Sequence, residues 1–114
     1  MSLLLIKRPR LDAVFVASDL MAVGVLQALA EAGRRVPEDV AVVGYDDDPV
    51  AAGLQPPLTS VRQPIEEMGR EMARMLMDVI RSPDQRSRKV LLNTRLEVRL
   101  SSAAAAPRLG REVG

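Results

Sequence analysis

A chain of 114 residues, 47% of them apolar, suits one small domain or a piece of a larger one. Sixteen basic residues against fifteen acidic ones leave a formal charge of +1, which excludes the one-sided basic surface of a dedicated nucleic-acid binder. The absence of Cys and His excludes disulfides, thiolate or imidazole metal sites, and the Ser–His and Cys–His forms of catalysis. No metal or cofactor is expected.

The start, Met1 to Arg10, has an apolar run of only four residues (Leu3 to Ile6), and its basic residues follow that run. A signal peptide has a longer core and the opposite order. Residues 1–7 are therefore expected to be a truncated or cloned N-terminus, with no membrane span, in a cytoplasmic protein.

Asp12 to Ala17 (DAVFVA) reads as a strand buried on both faces, as in a parallel sheet. Ser18-Asp19 supplies capping oxygens, and Leu20 to Ala32 predicts a helix stopped by Gly33 at the C′ position. For three turns this helix carries polar side chains only at Gln27 and Glu31. It should be covered on two sides, by its sheet and by a partner subunit. Val40 to Tyr45 (VAVVGY) is a second buried-type strand, and a strand–helix–strand series with short links predicts a right-handed parallel crossover.

Pro49 to Leu58 holds three prolines and a glycine and predicts a loop with room for one helical turn. Leu58 to Val61 fits a short third strand. From Pro64 to Arg81 apolar residues recur at helical spacing, and core packing accounts for the Met-rich stripe. Lys89 to Leu100 alternates apolar and polar from Thr94, as a strand with one wet face does. The tail 102–114 is expected to be disordered.

Three places can carry chemistry. Ser18-Asp19 and Asp46-Asp47-Asp48 follow consecutive parallel strands, and ligands of open α/β sheets sit beyond those carboxyl ends. Three adjacent Asp on a strand end point in alternating directions, so they do not suit one metal ion. One would face a crevice and accept hydrogen bonds from ligand hydroxyls, while the others solvate or cap the loop. A plain acidic turn remains open for the triplet, a plain N-cap for Ser18 (or Asp19 capping while Ser18 reaches the ligand), and a turn role for Gln63. No Gly-rich phosphate loop is present.

The linked motifs SDLMAVG, VPEDVAVVGYDD, PPLTSVRQP and NTRLEVRLS, in that order, closely resemble the C-terminal half of LacI/GalR-type transcription regulators. The resemblance implies an α/β fold: a partial periplasmic-binding-protein-like (type I) domain over residues 8–101. Its parallel strands would have flanking helices and a closing C-terminal strand. It implies that Ser18 and Asp46 contact a small effector, a sugar or sugar derivative, and that Gln63 lies at the crossover between subdomains. It implies a homodimer, or higher homo-oligomer, through Val23, Gln27, Val50 and Leu54. The family's helix-turn-helix and most of its N-terminal subdomain have no counterpart here, so operator DNA would be a partner only of the full-length protein. The helix from Pro64 packs on that subdomain in the family, and here its stripe loses its usual partner. A solute-binding protein of the same fold is the alternative. The repressor-like motifs favour a regulator, and a metal-dependent hydrolase built on the Asp cluster lacks a second acidic cluster.

Overall fold

In the computed structural model, which describes residues 1–84, 86 and 88–103, eight elements follow one another. They are α1 (Ser2–Lys7), β1 (Ala13–Phe15), α2 (Asp19–Glu31), β2 (Ala41–Asp46), α3 (Pro49–Gly53), β3 (Thr59–Arg62), α4 (Ile65–Arg81) and β4 (Arg95–Glu97). The sheet order is β1-β2-β3-β4, with β1–β2 and β2–β3 parallel. One compact unit joins Met1–Arg62 to the described residues from Leu96 on, and the second is Gln63–Arg95. Among the described residues, no helix is long and apolar enough to cross a membrane.

The first unit is built around a small aliphatic core. Ala22, Leu26 and Leu29, one helical turn apart, turn the inner side of α2 toward β2, and Val16, Val40, Val42, Ala51 and Leu58 complete the cluster. Gly33, at φ +67, ends α2 as its position predicts. The Arg34 N–H reaches the Leu29 carbonyl at 2.9 Å and the Gly33 N–H reaches that of Ala30 at 3.0 Å, the paired bonds of a Schellman cap.

Residues 1–7 form part of the unit, because α1 places Met1 and Leu5 one turn apart against the core. Two strand expectations change. Strand β1 is covered on one face only: it is a sheet edge, and Phe15 is 62% exposed. The outward side of α2 is open at Leu20, Met21 and Val23. The alternation after Thr94 has its polar side inward, so Leu96, Val98 and Leu100 are exposed while Glu97 and Arg99 are half-buried. Their charges have partners inside the unit, described below.

The closing segment is held by hydroxyls. Ser101, fully buried, donates from Oγ to the Val42 carbonyl at 2.6 Å and accepts the Thr59 N–H at 2.8 Å. Ser102 Oγ donates to Thr59 Oγ1 at 2.6 Å, so the first residue of the expected tail belongs to the fold. Residues 104–114 of that tail lie outside the described residues.

In the second unit α4 buries none of its residues. Core packing of the Met-rich stripe is therefore not what the fold delivers: Ile65, Met72, Leu76 and Ile80 are each at least 60% exposed. Full burial of one such side chain is worth about 2 kcal/mol.

Gly44, inside β2, is required by close approach and not by a turn. A Cβ there would stand 2.1 Å from Asp19 Oδ1 and 2.8 Å from Leu58 Cδ2. Gly44→Ala should therefore cost about 3 kcal/mol, within the range of overpacked cores, and lower the melting temperature by on the order of 10 °C in a thermal scan.

Candidate functional site at the strand ends

The register fixes how the candidates meet. Phe15 pairs with Val43 across parallel strands, and Ser18 and Asp46 each lie three residues further along their own chains. Both emerge at the carboxyl ends of neighbouring strands. Ser18 takes the N-cap position of α2 with extended backbone (φ −156, ψ 143), yet its side chain makes no capping bond. Asp46 is exposed, at φ 105. Gln63 opens the second unit, so the first unit brings together Ser18 and Asp46 but not Gln63.

Asp19 does not cap its helix. Its fully buried carboxylate crosses to the next elements, accepting the Ser60 hydroxyl (2.8 Å to Oδ1, 3.0 Å to Oδ2) and the Asp48 N–H (2.8 Å to Oδ2). Ser60 Oγ in turn accepts the Asp47 N–H at 3.0 Å. A buried carboxylate is tolerated only with such partners, since an unpaired one would cost several kcal/mol.

The Asp triplet divides its labour. Asp48 caps α3, accepting the Val50 N–H at 2.9 Å ahead of Pro49. The Asp47 side chain, 2% exposed, lies between two guanidinium groups: Arg99 Nη2 stands 2.7 Å from Oδ1, and Arg62 Nε and Nη2 stand 2.6 and 2.5 Å from Oδ2. Arg62 Nη1 also reaches Glu97 Oε1 at 3.5 Å. Among the described residues no three acidic side chains converge in a group that could hold a metal ion.

Both Asp46 and Asp47 (φ 53) adopt positive φ, a conformation Asp tolerates better than most residues but at a cost of order 1 kcal/mol or more. The bonds to the Asp47 and Asp48 N–H groups and the ion pairs of Asp47 hold that turn in place. The four residues expected at an interface fall on adjacent helices: Val23 and Gln27 are exposed on α2, while Val50 on α3 and Leu54 at its end are half-buried. A depression of about 410 Å³, lined among others by Arg10, Asp12, Arg34 and Glu38, lies at the opposite, amino-terminal end of the strands. Open α/β sheets place ligands at the other end.

Local reading of the sequence missed Asp19, Ser60, Arg62 and Arg99 as one network. Two signals pointed to it: a glycine inside a β-branched strand, which marks a close approach, and a single Arg at the end of TSVR and of EVR.

An open, mostly parallel α/β sheet with two polar candidates at adjacent carboxyl ends defines a domain of the ligand-binding α/β class. The family model described as periplasmic binding protein-like domain matches residues 2–102, and the chain belongs to that family. It is 56% identical over 98 residues to the HTH-type transcriptional regulator CelR of Thermobifida fusca, covering 86% of this chain and 29% of the relative. The chain thus spans under a third of that relative's length. A solved CelR–cellobiose complex superposes with a TM-score of 0.82 at 56% identity, covering 87% of this chain and 30% of the other. A LacI family regulator from Arthrobacter sp. FB24, solved with lactose, gives 0.77 at 36% identity, covering 89% and 39%.

Burial pushes the Asp47 carboxyl up, but the hydrogen bonds and charges of Arg99 and Arg62 outweigh it and hold it below the usual 3.8. A group with a depressed folded pKa stabilises the fold above its unfolded value, and that stability is lost as pH falls through the folded one. Thermal melts from pH 6 to pH 2 should show the parent losing stability below about pH 4. Asp47→Asn should be flatter over that window and, at neutral pH, less stable by about 1–3 kcal/mol.

Proposed function

We propose that this chain is the effector-sensing, dimer-forming portion of a bacterial LacI-type transcriptional repressor, and that its ligand is a sugar or sugar derivative. One observation carries the reading: Ser18 and Asp46 stand at matching positions beyond a paired register of adjacent parallel strands. A hydroxyl and a carboxylate so placed can accept and donate hydrogen bonds to the hydroxyls of one small polyol. The sugars named with the similar structures, cellobiose and lactose, support the class of ligand. The role is binding and not catalysis, in a cytoplasmic regulator. Operator DNA would be contacted by the remainder of the full-length protein, with effector binding shifting the balance between states of different DNA affinity.

Calorimetric titration of the intact regulator with cellobiose and with lactose tests this. At least one should bind, and Asp46→Ala should weaken that binding by roughly 10- to 100-fold, the worth of a hydrogen bond to a charged acceptor. Sugar-driven release from DNA that survives Asp46→Ala unchanged would show that Asp46 is not the effector contact.

The homodimer reading rests on the outward side of α2, where Leu20, Met21 and Val23 are open to solvent beside α3. Contiguous apolar surface of this kind is what association covers. Light scattering should give twice the chain mass at micromolar concentration and a monomer for Val23→Asp; a compact parent monomer refutes the dimer.

A further inference from the structure

Arg62 and Glu97 stand where the chain passes between its two units. Arg62 is the last residue of the first unit before Gln63, and Glu97 directly follows Leu96, where the chain returns to it. Their side chains meet at 3.5 Å. The remaining two nitrogens of the same guanidinium grip Asp47 Oδ2 at 2.6 and 2.5 Å. A single planar group therefore touches the outgoing strand, the returning strand and the residue adjoining Asp46.

The two arginines of this cluster differ in how firmly they are held. Arg99 is 21% exposed and anchored three ways: Nη1 donates to the Leu58 carbonyl at 2.8 Å, its backbone N–H donates to Thr59 Oγ1 at 2.7 Å, and its carbonyl accepts from Thr59 Oγ1 at 2.9 Å. Arg62 is 48% exposed, and its side-chain contacts described here are the two carboxylates. Arg62 is thus the more exposed of the two and the one able to follow a change at Asp47. Asp47, by contrast, is buried and rigidly bonded, and it cannot shift without its cationic partners. Any change in the left-handed Asp46-Asp47 turn must therefore be answered by Arg62, and through Arg62 by Glu97 on β4.

We propose that Arg62 is a positioning residue that couples occupancy of the Ser18–Asp46 site to the two crossing strands, acting through Asp47 on one side and Glu97 on the other. The inference rests on the sugar-sensor reading and adds its route of regulation. A ligand hydroxyl bound to Asp46 adds a further restraint to a turn already held by Asp47 and Asp48. Asp47 then fixes the guanidinium plane, and the plane fixes the spacing of β3 and β4 at the point where both leave the unit.

Hydrogen-exchange mass spectrometry of the intact regulator, with cellobiose as the probe (lactose if cellobiose does not bind), separates the outcomes. In the parent, sugar should slow exchange both in the turn 44–48 and in the strand 94–98. Glu97→Gln removes the strand-side contact without touching the turn, so it should keep protection of the turn and leave sugar affinity within about twofold. Protection of the strand should fall by about fivefold, the low end of measured couplings between sites. Arg62→Gln should lose the strand response as well. Strand protection equal to the parent in Glu97→Gln overturns the inference, even if Arg62→Gln fails to fold. If neither sugar protects any segment of the parent, the sensor reading fails and this coupling falls with it.

Discussion

The carboxylate of Asp19 is removed entirely from solvent at the first turn of α2, and the shape of the strand ends follows from how it is satisfied. Three elements supply the answer: the Ser60 hydroxyl from β3, the Asp48 N–H from the turn after β2, and the missing side chain of Gly44 in β2 itself. A buried carboxylate without those partners would destabilise so small a domain by a large fraction of its whole stability. The start of α2, the end of β2 and the middle of β3 are therefore tied at one point. Ser18 and Asp46, one residue before Asp19 and two before Asp48, have their backbones placed by that knot.

Much of the architecture was legible because it depends on patterns that a sequence displays directly. Continuous β-branched runs announced parallel strands, the Ser18-Asp19 pair announced the start of α2, the three- and four-residue recurrence announced α4, and Gly33 announced where α2 ends. The roles within the site were less legible. Ser18-Asp19 obeys the local rule for a helix cap, and that rule carries no term for a hydroxyl 41 residues away on another strand. The Asp triplet was separable in principle, since alternating directions forbid a common ligand. Which Asp would be buried depended on Arg62 and Arg99, whose proximity is a matter of tertiary register. The strand after Thr94 shows the same limit. Its alternation gave the period correctly and the inward side wrongly, because two charges drawn in by Asp47 and Arg62 outweigh three aliphatic residues that find no apolar layer to join.

The open apolar surfaces share one physical cause. Phe15 on the edge strand, the outward side of α2 and the whole stripe of α4 are each of the kind that a two-layer or three-layer α/β domain covers with a further element. The chain spans under a third of the length of CelR. The partners of the Asp19 and Asp47 carboxylates, however, all come from the first unit. Burial and polar satisfaction are thus decoupled here: the strand-end geometry is locally self-sufficient, while the faces behind it are not.

That decoupling bears on how a half-site of this kind can work. Ligand affinity suffers when binding must order the contacting groups, and it gains when folding has already ordered them. Asp46 sits in a strained turn whose following two residues are held by five polar contacts, counting two N–H bonds and the three nitrogen contacts to the Asp47 carboxylate. Its own side chain stays at the surface. The residue proposed to meet the ligand is therefore positioned by neighbours that do not meet it. Its reach into solvent is preserved because Asp47 and Asp48 absorb the structural demands that three adjacent carboxylates would otherwise share. A single Asp at this strand end could satisfy the fold or face a ligand. Three in succession allow both.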